Sequence, residues 1–149
     1  MSKSTKLSAS LEDYIEAIYN IVEEKQKARS KDIAACLNVS GASVTEALRS
    51  LSAKGLINYA PYEAITLTDK GRNVAEDVVR RHNALKQFFT DVLGIRNDIA
   101  EQGACRVEHA APQEIIDQMV NFINYLETCT GNSKQLVEDF ISFSQKQNS

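Results

Sequence analysis

The chain has 149 residues, 43% hydrophobic and 25% charged, with a net charge of −3 and three cysteines. That length buries a core without disulfides, in one domain or two small subdomains, and the odd set Cys36, Cys105 and Cys129 fits a reducing compartment better than a disulfide framework. The N-terminal MSKSTKLSASLED lacks an apolar core segment, and no apolar run approaches the roughly 20 residues of a bilayer span, so a cytoplasmic protein with no membrane partner is expected.

A negative chain is a poor partner for phosphates, but here the charge is segregated. Acids concentrate in residues 11–24 and 98–139, whereas 25–86 holds most of the Lys and Arg, among them Arg29, Arg49, Lys70, Arg72, Arg80 and Arg81.

In chain order, LEDYIEAIYNIVEE spaces Leu11, Tyr14, Ile15, Ile18, Tyr19 and Val22 as one stripe of a helix, with Ser8 or Ser10 as N-cap and Asp13 and Glu16 beside the stripe. A helix from about Ser30 to Leu37, a turn through Asn38 to Gly41, and a helix to about Lys54 ended by Gly55 form a helix-turn-helix. LINYAPYEAITLT reads as two short strands around a Pro61 to Glu63 turn, with Ile57, Tyr59, Ile65 and Leu67 alternating, which is a wing. The second helix is then the candidate for the major groove.

From Thr68 as N-cap, TDKGRNVAEDVVRRHNALKQFFTDVLG reads as one long connecting helix stopped by Gly94. Three further helices follow, about Arg96–Ala110, Pro112–Thr128 and Ser133–Gln145, with a loop at Cys129 to Asn132. Ile115, Ile116, Met119, Val120, Phe122, Ile123, Tyr125 and Leu126 spread wider than one small subdomain uses, so a homodimer interface is expected. The expected fold is mainly α: a winged helix-turn-helix DNA-binding domain over residues 1–72, then an all-helical metal-binding and dimerisation domain over 73–149.

In the DNA-binding module, Ala34, Leu37, Val44, Leu48 and Leu51 are expected to be buried. Ser40, Ala42, Ser43, Thr45, Glu46 and Arg49, with Arg29 of the basic segment, are then left to meet double-stranded operator DNA. Hydroxyls and Arg reach phosphates or base edges, and Glu46 can accept from a cytosine amino group. The competing use of such a trihelical fold is protein interaction.

Glu101, Cys105, Glu108 and His109 stand at i, i+4, i+7 and i+8, which on a helix gathers two carboxylates, a thiol and an imidazole on one stripe. Asp13, Glu16 and His82 flank other apolar stripes, and His82 and His109 are the only histidines. Taken singly, each has a plainer reading: a solvated acidic face, a small buried thiol, a helix C-terminal cation.

The order of elements, with SLEDYIEAIYNIVEE, LTDKGRNVAEDVVRRHNALKQFF and ACRVEHAAP, resembles the diphtheria-toxin-repressor family of metal-dependent transcriptional regulators over about residues 8–127. The most specific part combines Cys-x-x-Glu-His at 105–109, Arg-His at 81–82 and Asp-Tyr-Ile-Glu at 13–16. The resemblance implies a homodimer with metal sites between the DNA-binding subdomain and the dimerisation helices, which binds operator DNA when metal is bound. Asp13, Glu16, His82, Cys105, Glu108 and His109 match family ligand positions, and Glu101 matches one that supplies a histidine to a second site in the iron regulators. Cys105 is the choice of the iron branch and Asp13 that of the manganese branch, while Lys86 stands where the larger iron regulators place a glutamate ligand. The chain resembles the short, two-domain type that lacks the SH3-like third domain.

Carboxylates and imidazoles suit Mn(II) or Fe(II), and a thiolate shifts preference toward Fe(II); Co(II), Ni(II) and Zn(II) are expected to bind in vitro. The function expected is metal-dependent regulation, with repression of metal-uptake genes by Fe(II) or Mn(II) as corepressor. Two other classes compete: a metal-independent winged-helix regulator sensing a small molecule or thiol oxidation, and a metal-dependent hydrolase, which no nucleophile or substrate-pocket motif supports.

Overall fold

The computed structural model describes residues 6–128 and 131–149, so Cys129 and the first part of the expected 129–132 loop lie outside it. Among the described residues, seven α-helices, one π-helical turn and a two-stranded sheet follow one another. The chain divides into two compact units, Met1–Val79 and Arg80–Ser149.

In the first unit, α1 (Ala9–Lys25) begins where the Ser8 hydroxyl accepts from the Leu11 N–H and ends at Gln26, in the left-handed conformation. The helix-turn-helix is α2 (Ser30–Leu37), a left-handed Asn38, and α3 (Gly41–Ala53), capped by Ser40, whose hydroxyl accepts from the Ser43 N–H at 3.2 Å. Both caps satisfy helix-terminal groups that would otherwise be orphaned.

Ile15, Ile18, Ile33, Val44, Leu48, Leu51 and Ile65 are fully buried together, each contributing on the order of 1.5–3 kcal/mol of transfer free energy. Val44, Leu48 and Leu51 lie inside as expected. Ala34 and Leu37 only rim this core, because the short α2 turns Ile33 to its centre.

The wing is smaller than the alternation suggests. β1 (Ile57–Asn58) pairs antiparallel with β2 (Thr66–Leu67), Ile57 opposite Leu67 and Asn58 opposite Thr66. Tyr59 falls outside the ladder, and Ile65 pairs instead with Ala28, through Ala28 N–H to Ile65 O at 3.0 Å and Ile65 N–H to Ala28 O at 2.8 Å. This bridge ties the loop before α2 to the base of the wing.

Thr68 caps α4 (Asp69–Gln87): its hydroxyl accepts from the Gly71 N–H and donates to the Gly55 carbonyl at 2.7 Å. A Cβ on Gly71 would overlap the Leu56 carbonyl oxygen, so glycine is what lets the helix start so close to the preceding backbone. The expected single helix to Gly94 instead changes after Gln87 into a π-helical turn, Phe88–Val92. The wider turn accommodates Phe88 and Phe89, which meet edge to face at 6.4 Å, with Phe88 also 6.2 Å from Phe122.

In the second unit, α5 (Asn97–Val107), α6 (Gln113–Thr128) and α7 (Ser133–Gln147) follow. Leu85, Ala104 and Ile116 form its core, with Phe89, Ala111, Met119 and Val120 against it. Ile141 of α7 packs on Gly94, whose positive φ and missing side chain make room for it. Of the broad α6 surface, Ile116 and Ile123 turn inward, whereas Ile115, Phe122 and Tyr125 remain exposed.

Candidate metal centre

α5 ends three residues before the expected Ala110. The Ala110 and Ala111 N–H groups both turn back to the Val107 carbonyl, ahead of Pro112, so Glu108 is the helix C-cap and His109 lies in the following turn. The four-residue donor stripe is therefore half on a helix and half on its terminus, and the chain reversal brings both ends to His82 of α4.

Both ring nitrogens of His82 point at carboxylates: Nε2 is 2.7 Å from Glu101 Oε1, and Nδ1 is 2.8 Å from Glu108 Oε2. The other oxygen of Glu108 is 3.1 Å from His109 Nε2, and Cys105 Sγ stands 3.8 Å from His82 Nδ1. Donor atoms of His82, Glu101 and Cys105 all fall within 4.8 Å of one another.

Burial bears on the plainer readings of Glu108 and Cys105. Glu108 is 1% exposed and His82 6%, so Glu108 does not belong to a solvated acidic face. Cys105 is exposed, so it is not a buried thiol of the core either. A carboxylate that deep needs cationic or donor partners, and it has two imidazoles.

Two residues that the donor pattern did not single out complete the setting. Buried Arg81 donates to the Glu108 backbone carbonyl at 3.1 Å, holding the turn that carries Glu108 and His109. Lys86 Nζ lies 3.0 Å from Glu101 Oε2. Burial alone would raise the Glu101 carboxyl, but the Lys86 hydrogen bond, with the charge and hydrogen bond of His82, holds it below the ordinary carboxylate range. The signal for Lys86 lay in the run of α4 itself, since 82 and 86 stand four residues apart on one helix face. Asp13 and Glu16 lie on α1 of the first unit, Asp13 exposed and Glu16 half-buried.

On the DNA-binding module, Arg29, Ser40, Ala42, Ser43, Glu46 and Arg49 are all exposed, and Thr45 partly so. Three hydroxyls are already engaged locally: Ser40 donates to Ser43 Oγ at 2.9 Å, and Thr45 donates back to the Gly41 carbonyl at 3.0 Å. Tyr62, at the wing tip in the left-handed region, is fully exposed.

A helix-turn-helix with a wing, joined to a helical unit in which imidazoles, carboxylates and a thiol converge, defines a DNA-binding regulator that answers to a metal ion. Comparison with known proteins bears this out. Residues 6–65 match the N-terminal DNA-binding domain of iron-dependent repressors, and residues 68–136 match their metal-binding and dimerisation domain. The chain is 35% identical over 118 residues to an uncharacterised HTH-type transcriptional regulator of Methanocaldococcus jannaschii, covering 78% of this chain and 94% of that one. It is 33% identical over 127 residues to the HTH-type transcriptional regulator MntR of Oceanobacillus iheyensis, covering 85% and 86%. Among solved structures, a manganese-dependent transcriptional repressor in complex with manganese is 31% identical with a TM-score of 0.71, covering 77% of this chain and 53% of that one. The regulator MtsR is 27% identical, also at 0.71, over 77% and 54%. The chain spans about half the length of these solved structures.

The chain belongs to the iron-dependent repressor family, that is, the diphtheria-toxin-repressor family of metal-dependent transcriptional regulators. The family consists of DNA-binding proteins rather than enzymes, and its second domain is one of dimerisation as well as metal binding. No helix among the described residues is long and apolar enough to cross a membrane.

Proposed function

We propose that the protein is a repressor of metal-uptake genes that binds double-stranded operator DNA as a cytoplasmic homodimer, with Fe(II), or Mn(II), as corepressor. The observation that carries the reading is the buried Glu108 carboxylate set between His82 and His109, with the Cys105 thiol beside it.

The donors fit a divalent transition ion in number and kind: two imidazoles, carboxylates and one thiol, drawn together at hydrogen-bonding distances. His82, Cys105, Glu108 and His109 would hold the ion, joined in the metal-bound state by Asp13 and Glu16 of α1. A bound cation supplies positive charge that compensates carboxylates otherwise repelling one another. The thiolate favours Fe(II) over Mn(II), which stands lowest in the affinity order. Co(II), Ni(II) and Zn(II) would compete for the same donors in vitro.

Residues 1–72 would serve the operator and 73–149 the metal and the partner subunit. Arg29 and Arg49 would contact phosphates, while Ser40, Ala42, Ser43, Thr45 and Glu46, around the start of α3, would face the major groove. Metal binding and operator binding would then be coupled. A palindromic operator rewards a fixed spacing of two recognition helices.

Operator binding by fluorescence anisotropy tests this, using metal-stripped protein titrated anaerobically with Fe(II) and separately with Mn(II) at fixed salt. Tighter binding with either ion is expected. Equal affinity with and without metal would overturn the reading and favour a thiol- or ligand-sensing regulator.

A further inference from the structure

The two nitrogens of His82 face different surroundings. On the Nδ1 side lie Glu108 Oε2 at 2.8 Å and Cys105 Sγ at 3.8 Å, with His109 reached through the second Glu108 oxygen. On the Nε2 side lies Glu101 Oε1 at 2.7 Å, and the other oxygen of that carboxylate is already held by the Lys86 ammonium at 3.0 Å. The first side gathers anionic and soft donors. The second has one carboxylate and a fixed positive charge.

A dication placed at Nε2 would share Glu101 with an ammonium and be repelled by it, whereas at Nδ1 it meets a thiol and a buried carboxylate. An imidazole that gives one nitrogen to a metal keeps an N–H on the other, and that N–H needs an acceptor. Glu101 is placed to be this acceptor, and Lys86, on its other oxygen, keeps it aimed.

We infer that Glu101 is a positioning residue rather than a metal ligand: the chain Lys86, Glu101, His82 Nε2–H fixes the imidazole so that Nδ1 alone faces the metal. This departs from the expectation that Glu101 ligates, and it deepens the functional reading above, on which it rests. Lys86 thereby acts as a tethered cation that closes the Nε2 side to a second ion. Its side chain is one-third exposed and that of Glu101 about half, so the pair screens this edge of the imidazole without being buried.

Nitrogen-15 NMR of the full chain, labelled at histidine and loaded with cadmium-113, tests the inference directly, since His82 and His109 are the only histidines. The expected result is a cadmium coupling to His82 Nδ1 and a proton on Nε2. Coupling at Nε2 would overturn the inference and leave the metal-regulator reading standing; absence of any bound cadmium would overturn both.

Glu101→Gln gives a second readout. It is expected to leave the cadmium resonance, which reports the donor set, at its wild-type position while weakening cadmium binding about 10- to 100-fold. A displaced resonance, or an unchanged affinity, would contradict the positioning role. Lys86→Glu, which replaces the ammonium with a carboxylate, is expected to admit one additional ion per subunit by elemental analysis, and an unchanged count would show that Lys86 does not close that side.

Discussion

Glu108→Gln removes one negative charge from the most buried polar side chain of the centre and changes almost nothing else in shape. The carboxylate has both oxygens on imidazoles, at 2.8 and 3.1 Å. The amide keeps one acceptor and turns the other into a donor, so at least one charge-assisted hydrogen bond is lost, worth about 1.5–3 kcal/mol. The sharper effect is on metal. Losing an anionic donor is expected to weaken affinity by no less than the roughly 100-fold that a strong outer-sphere change produces.

At an ion concentration about 100 times the wild-type Kd, metal stabilises the wild type by about 2.7 kcal/mol; with Kd raised 100-fold, the same concentration contributes only about 0.4 kcal/mol. At about 2–4 °C per kcal/mol for a chain of this size, the metal-induced rise in Tm shrinks from about 5–11 °C to about 1–2 °C. Thermal melts of both proteins, chelated and loaded with Mn(II), read the difference. A variant whose Tm rises with metal as much as the wild type's would refute the assignment of Glu108 as a ligand.

Gly71→Ala places a Cβ on the Leu56 carbonyl oxygen and is expected to cost at least about 1–3 kcal/mol, seen as a lowered Tm in the chelated protein. Arg49→Ala, on the exposed face of α3, is expected to weaken operator binding and, if Arg49 meets a phosphate, to reduce the slope of log affinity against log salt by about 1, measured by anisotropy across a salt series. Phe122→Glu puts a charge on the exposed apolar face of α6 and is expected to shift the protein from dimer to monomer in light scattering; an unchanged mass would place the interface elsewhere.

Much of the fold was legible because its signals are local. Ser8, Thr68 and Gly55 act as punctuation within three or four residues of what they terminate, and the stripe of α1 repeats often enough to be read directly. The π-turn after Gln87 was not legible: aromatic packing among Phe88, Phe89 and Phe122 selects it, and that is a contact across some thirty residues. Ile33 was passed over because an eight-residue helix shows barely two turns of period.

At the centre, residue types and spacing pointed to side chains that the structure brings around His82, but helical spacing alone could not show that α5 stops at Val107. It also could not show that a chain reversal pinned by Arg81 delivers Glu108 and His109. Nor could it assign sides to an imidazole. The division of labour between Glu108 and Glu101 depends on which nitrogen each faces, and only three-dimensional placement supplies that.

The two hydrogen bonds between Ala28 and Ile65 make the wing and the entry to the helix-turn-helix a single stiff caliper. Its two arms, the loop entering α2 and the strand bases, cannot part without breaking that backbone pairing, so the fitting of this module to operators of differing groove width is left to the tip at residues 60–64, where Tyr62 stands clear of the body. Sequence tolerance in a binding site should accordingly be greatest in the base pairs that this tip overlies, and least beneath α3.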